Sequence, residues 1–162
     1  MRRKFSIIFL LIIAILVGIV FLEKETLTKQ VENSSFVEEN HLYKTGIVKV
    51  GGIDVKVDLA TTPVERSRGL SGREGLISGT GMFFVFEISG QYGFWMKDML
   101  FPIDIIWINQ EKKIIHIEKN LSPDTYPTIF TSEQDAKYVL EVPAGFSDQQ
   151  KIKVGNSLEI LL

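Results

Sequence analysis

The sequence contains no cysteine. That absence excludes disulfides, thiolate metal sites, a thiol nucleophile and the lipid-modified cysteine of a lipoprotein, so the folded part must stand on its core. Histidine is almost missing as well: His41 and His116 are the only two, too few for a cluster with zinc-ligand spacing. The Gly-x-Ser-x-Gly elbow, the P-loop and the dinucleotide fingerprint do not occur, which removes the commoner nucleophile and nucleotide chemistries. No cofactor and no metal are therefore expected. A basic field is also lacking. All 20 acidic residues follow Leu22, whereas Arg2, Arg3 and Lys4 precede it, which leaves 15 of the 18 basic residues against those 20 acids. Such a mildly acidic remainder cannot neutralise phosphates in the way nucleic-acid binding requires. Internal repeats and low-complexity tracts are absent too.

What is present begins with an apolar run, Phe5 to Leu22, of 18 residues without a charge. As a helix rising 1.5 Å per residue it spans roughly 27 Å, close to the hydrocarbon thickness of a bilayer. Arg2, Arg3 and Lys4 before it and Glu23 after it orient the N-terminus to the cytoplasm and the rest of the chain outside. An uncleaved anchor fits better than a signal peptide, whose shorter apolar core ends at a small-x-small site. The expected organisation is a transmembrane anchor over 1–22, a polar tether over 23–44 and one extracytoplasmic domain over 45–162. At this length a single domain is the default.

Within that domain, alternating apolar residues on either side of Gly51-Gly52 predict a β-hairpin. Thr62, Pro63 and Glu65 carry the signals of a helix start with a capping box, and Gly69 and Gly72 stop the helix soon after Arg68. Strand-length runs rich in aromatic and β-branched residues follow at 82–86, 92–97, 103–108, 113–118 and 137–142, and a final pair at 150–153 and 157–161 flanks a Val154-Gly155-Asn156 turn. The fold class expected is mainly β: a compact antiparallel barrel or sandwich with one or two short helices.

Three segments could carry chemistry. In Tyr92 to Ile108, YGFWMKDMLFPIDIIWI, the charges of Lys97, Asp98 and Asp104 are embedded among large apolar side chains, a setting in which a charge needs a partner. Either Lys97 pairs with one of these carboxylates and fixes the strand register, or Phe94, Trp95 and Met96 line a groove and Lys97 and Asp98 face a ligand. Arg66, Arg68 and Arg73 lie on the short helix and its exit. Such a run is commonly a solvated face, although guanidinium groups also grip carboxylates and phosphates. Glu141 stands between buried-looking neighbours near a strand end, as an acid or an ion-pair partner. His116, flanked by isoleucines, reads as a strand residue.

The motifs TPVERSRGLSGR, GMFFVF, FWMKDMLFPIDIIWI and YVLEVPAG, in this order and spacing, resemble the domain of unknown function 192 family of small prokaryotic proteins, many of which carry a signal or membrane segment. The likeness covers roughly residues 47–161. Ser71 stands where the family commonly has methionine, and Asp98-Met99 where Asn-Thr is frequent. The resemblance implies a β-rich domain and brings no established activity. From the residues themselves, an aromatic-plus-charge cluster without nucleophile or metal ligands points away from catalysis. The first expectation is a non-catalytic module binding an envelope ligand, a glycan or an anionic small molecule. The second is a scaffold docking another envelope protein. The third is a hydrolase of envelope polymers that pairs two of Asp98, Asp104 and Glu141 as acid and base.

Overall fold

Alternation of apolar and polar residues sets the register of a seven-stranded sheet in the computed structural model, which describes residues 43–161 and, before them, Lys24. The expected anchor over 1–22 and nearly all of the tether over 23–44 lie outside the described residues. No helix among the described residues is long and apolar enough to cross a membrane.

The strands are β1 (Lys44–Val50), β2 (Ile53–Ala60), β3 (Thr80–Gly90), β4 (Ile103–Ile108), β5 (Ile114–Leu121), β6 (Ala136–Pro143) and β7 (Leu158–Leu161), with two short helices, α1 (Pro63–Arg68) and α2 (Phe146–Gln149). Their order in the sheet is β5-β4-β6-β3-β2-β1-β7. The β1–β2 hairpin turns at Gly51 and Gly52, both at positive φ (56° and 88°), which glycine adopts without strain. The sheet curls into a half-barrel. Its two outer regions meet at one end, where the Ile114 N–H donates to the Asn156 carbonyl at 2.9 Å and the Gly155 N–H to the Ile114 carbonyl at 2.8 Å.

Three details differ from the expected antiparallel set. β2 and β3 pair in parallel, because the crossover that carries α1 returns the chain to the same end of the sheet. Residues 92–97 form a loop with a single bridge, Phe94 to Phe130. Residues 150–153 follow α2 as a turn, with Lys151 at φ 56° and Ile152 buried in the core.

Each face of the sheet has its own apolar cluster. Val55, Val57, Phe83, Ile106, Leu140 and Val142 pack together on the inner face. Met82, Phe84, Ile105, Trp107 and Val139 pack on the other, covered by Leu70 from the α1 exit and by Met96 and Met99 from the loop after β3. Because successive side chains of a strand point to opposite faces, the position of a residue in its strand decides which cluster it joins.

Candidate functional site

The capping signals read in the sequence produce the geometry that places the arginines. The Thr62 side chain accepts from the Glu65 N–H at 3.2 Å, and Glu65 Oε2 accepts from the N–H groups of Thr61 and Thr62 at 2.7 and 2.8 Å. Those hydrogen bonds, that of the Thr62 backbone foremost, hold the Glu65 carboxyl below its ordinary value. α1 thereby presents Arg66 and Arg68 over the outer face of the sheet. Arg66 Nη1 donates to the carbonyls of Thr61 and, at 2.9 Å, Val85, and its guanidinium lies 5.1 Å from the centroid of the Phe86 ring. Phe86 in turn stacks on Tyr92, with centroids 3.5 Å apart.

Between α1, β3 and the 92–99 loop lies a cleft of about 570 Å³, a size typical of small-molecule sites. Phe84, Phe94, Leu70 and Met99 give it apolar walls, Arg66 and Arg68 line the helix side, and Trp95 forms a lip that is 51% exposed. The loop wall is fixed by packing: Phe94 sits edge-on to both Phe84 and Trp107, at 4.9 and 5.9 Å between centroids, and Trp107 Nε1 donates to the Tyr92 carbonyl at 3.0 Å. A β-carbon on Gly93 would come within 2.7 Å of Ile129, so that glycine permits the close approach.

Glu141 lines the same cleft. It lies on β6 opposite Met82 of β3 and Ile105 of β4, and is only 5% exposed. Its Oε2 is buried and has no hydrogen-bond partner among the described residues. Burial pushes the carboxyl up to about 8, against a smaller opposing pull from the Arg73 guanidinium. Arg73 cannot compensate Glu141 fully, because it pairs with Asp58 at 2.7 Å and lies against the Tyr43 ring at 5.3 Å. Burial therefore favours the neutral, protonated form of the carboxyl at the end of the cleft.

Asp104 has the opposite surroundings. It is 0% exposed, and its carboxylate accepts from the N–H groups of Asn120 (2.9 Å), Gly145 (3.0 Å) and Ser147 (2.8 Å). It therefore ties β4 to the end of β5 and to the start of α2. Asp104 pairs with Val142, which joins the inner cluster, whereas Glu141 pairs with Ile105 in the outer one. The two carboxylates stand on opposite faces of the sheet and share no cleft.

Lys97 and Asp98 are exposed at a turn beside the cleft, outside its lining. Among the described residues Lys97 makes no ion pair. Their carbonyls hold the α1 exit: Ser71 Oγ donates to the Lys97 carbonyl at 3.0 Å, and the Gly72 N–H to that of Asp98 at 2.8 Å. Asp98 sits at φ 56°, a conformation that aspartate and asparagine tolerate better than most residues. Of the residues singled out from the sequence, the cleft thus gathers Arg66, Arg68, Phe94, Trp95 and Glu141. Arg73, Lys97 and Asp98 lie around it, Met96 is buried in the outer cluster and does not line the cleft, and Asp104 is on the far face. Phe84, Phe86 and Met99 were not singled out, although alternation in GMFFVF already places the first two on one face. No group of three or more His, Asp or Glu among the described residues is arranged to hold a metal.

The profile of the domain of unknown function 192 family, described as Uncharacterized ACR, matches residues 46–160. The chain belongs to this family. Among solved structures, it is similar to a protein from Sinorhizobium meliloti 1021 described provisionally as a transcription regulator, with 30% identity, TM-score 0.69, and coverage of 73% of this chain and 95% of that one. It is also similar to a protein of unknown function from Novosphingobium aromaticivorans DSM 12444, with 28% identity, TM-score 0.68, and coverage of 71% and 84%. No curated protein matches it. The four motifs that carry the resemblance to this family are also the pieces that build the cleft. They supply every lining residue except Glu87, Ile88, Tyr92 and Gly93.

Proposed function

We propose that this domain is a non-catalytic binding module, held on the outer side of the cytoplasmic membrane by residues 5–22, that takes an envelope ligand into the cleft above Glu141. Of the two ligand classes considered from the sequence, a small anionic molecule suits this site better than a glycan. Arginine N–H groups on the helix side suit a carboxylate or phosphate, and the walls are apolar.

One observation carries the reading: a carboxyl buried on the floor of an aromatic cleft, with one oxygen unpartnered. Folding leaves such a group at a cost of roughly 1–3 kcal/mol, and a cost kept at the bottom of an open cleft is characteristic of ligand sites. A catalytic carboxylate pair finds less support, because Asp104 faces away from Glu141 and Asp98 lies outside the lining.

The test is recovery of the full chain from its native membrane fraction, followed by mass spectrometry of what it retains. The wild type is expected to carry an anionic small molecule. Trp95→Ala should lower retention at least fivefold with the fold intact, and Lys97→Ala, beside the cleft, should lower it less. Recovery of the chain from the aqueous fraction, or retention that Trp95→Ala leaves unchanged, would sink the proposal.

A further inference from the structure

Glu141 differs from every other polar group of the cleft in its depth. Arg66 and Arg68 approach from α1, Trp95 from the loop and Glu87 from the far part of β3, whereas Glu141 rises from the middle of the sheet beneath them. We propose that Glu141 is the specificity-determining residue of the cleft and donates a hydrogen bond through its protonated carboxyl. The ligand would then be a small anion whose apolar body ends in an acceptor, a carbonyl or ether oxygen. This rests on the binding function proposed above and deepens it.

The chemistry follows from what faces the carboxyl. β3 and β4 offer Met82 and Ile105 opposite it, neither of which can donate or accept usefully. The charged and titratable groups around it are Arg66 and Arg68 on α1, Arg73 already paired with Asp58, Glu87 at the margin of the cleft, and the phenol of Tyr92. Arg66 already donates to two carbonyls through Nη1, which leaves its Nη2 and Nε groups for an anion. Among the described residues the Arg73 charge is the one felt at Glu141, and burial outweighs it. A neutral carboxyl has one O–H to give. A ligand acceptor at that depth satisfies it, an apolar group leaves it unmet, and a cationic group would first require the proton to leave.

Three probes of nearly equal shape separate these cases on the full chain in lipid nanodiscs, with binding followed by saturation-transfer NMR. They are 4-acetylbenzoate (acceptor), 4-isopropylbenzoate (apolar) and 4-(aminomethyl)benzoate (cation). The acetyl probe should bind about three- to tenfold more tightly than the isopropyl probe, the ratio a single neutral hydrogen bond gives. That preference should fade as pH rises through about 8, where the carboxyl loses its proton. Glu141→Gln, whose amide still donates, should keep the preference and remove its pH dependence. Glu141→Leu, which retains an apolar floor, should abolish the preference while still binding the isopropyl probe. Binding of all three with no preference, or tightest binding of the aminomethyl probe, would overturn this assignment and leave the binding function standing. No binding by any probe at millimolar concentration, with a retained native ligand that Trp95→Ala does not release, would overturn both.

Discussion

Asp104 and Glu141 are buried carboxyl groups on neighbouring strands of one sheet, and they have opposite fates. Asp104, on the inner face, spends both oxygens on three backbone N–H groups from two distant segments. Glu141, on the outer face, leaves an oxygen without a partner among the described residues, beneath a cleft. A fully satisfied buried polar group fixes a structure, whereas an incompletely satisfied one is retained against stability. The contrast separates the part of the molecule that holds it together from the part open to a ligand.

The largest expected effect breaks the Asp104 side. Asp104→Ala removes the acceptor of three backbone N–H groups, that of Ser147 buried and those of Asn120 and Gly145 partly so, and should destabilise the domain by about 4 kcal/mol, near the lower end of the roughly 1–3 kcal/mol that each unmet donor costs. Asp104→Asn keeps one acceptor oxygen and should cost about half as much. Urea unfolding of the full chain in nanodiscs, followed by tryptophan fluorescence, measures both. A loss under about 1 kcal/mol for Asp104→Ala would mean that the three hydrogen bonds do not organise the inner face.

Glu141 should behave in the opposite sense. Its folded-state value near 8 lies above its ordinary 4.5, so between these values the unfolded chain has already released a proton that the folded chain still holds. Stability from this group is therefore full below about pH 4.5 and falls as pH rises toward 8, by at most about 1.4 kcal/mol per pH unit. Glu141→Gln removes that dependence. Relative to the wild type, the variant should gain on the order of 3 kcal/mol between pH 5 and pH 8 and no more above it. Equal stability curves across that range would show that Glu141 ionises freely in the fold, and the contrast with Asp104 would disappear.

The two carboxyls also mark how far the sequence could be read. Both stood out as charges among apolar residues, but their environments were not legible, because the partners of Asp104 are backbone groups 16 to 43 residues away. No residue pattern announces such partners. The hairpin at Gly51-Gly52 and the capping box at Thr62 were legible because their determinants lie within four residues. The aromatic run at 92–97 shows the limit most clearly. Its alternation is real: Tyr92, Phe94 and Met96 turn inward and Gly93, Trp95 and Lys97 outward. Periodicity reports which side faces the core and not where the backbone hydrogen bonds go. Here they go to the Trp107 side chain, to the Phe130 bridge and to the α1 exit, and a loop replaces the expected strand.

The smallest effect sharpens the comparison at α1, the helix that brings the arginines over Glu141. Thr62→Ala removes the side-chain oxygen that accepts from the Glu65 N–H and should cost about 1 kcal/mol, the usual worth of such a cap. The Glu65 carboxyl, held below its ordinary 4.5 by the same turn, adds stability above that pH and loses it on acidification, the reverse of Glu141. Between pH 6 and pH 3 the Thr62→Ala variant should therefore lose less stability than the wild type, as its capping turn is already weakened. An identical acid response in the two proteins would separate Glu65 from the cap. In the pH range where Glu141 is most comfortable, the helix above it is least secure, so the two sides of the cleft favour opposite ends of the pH scale and are both close to their best only in between.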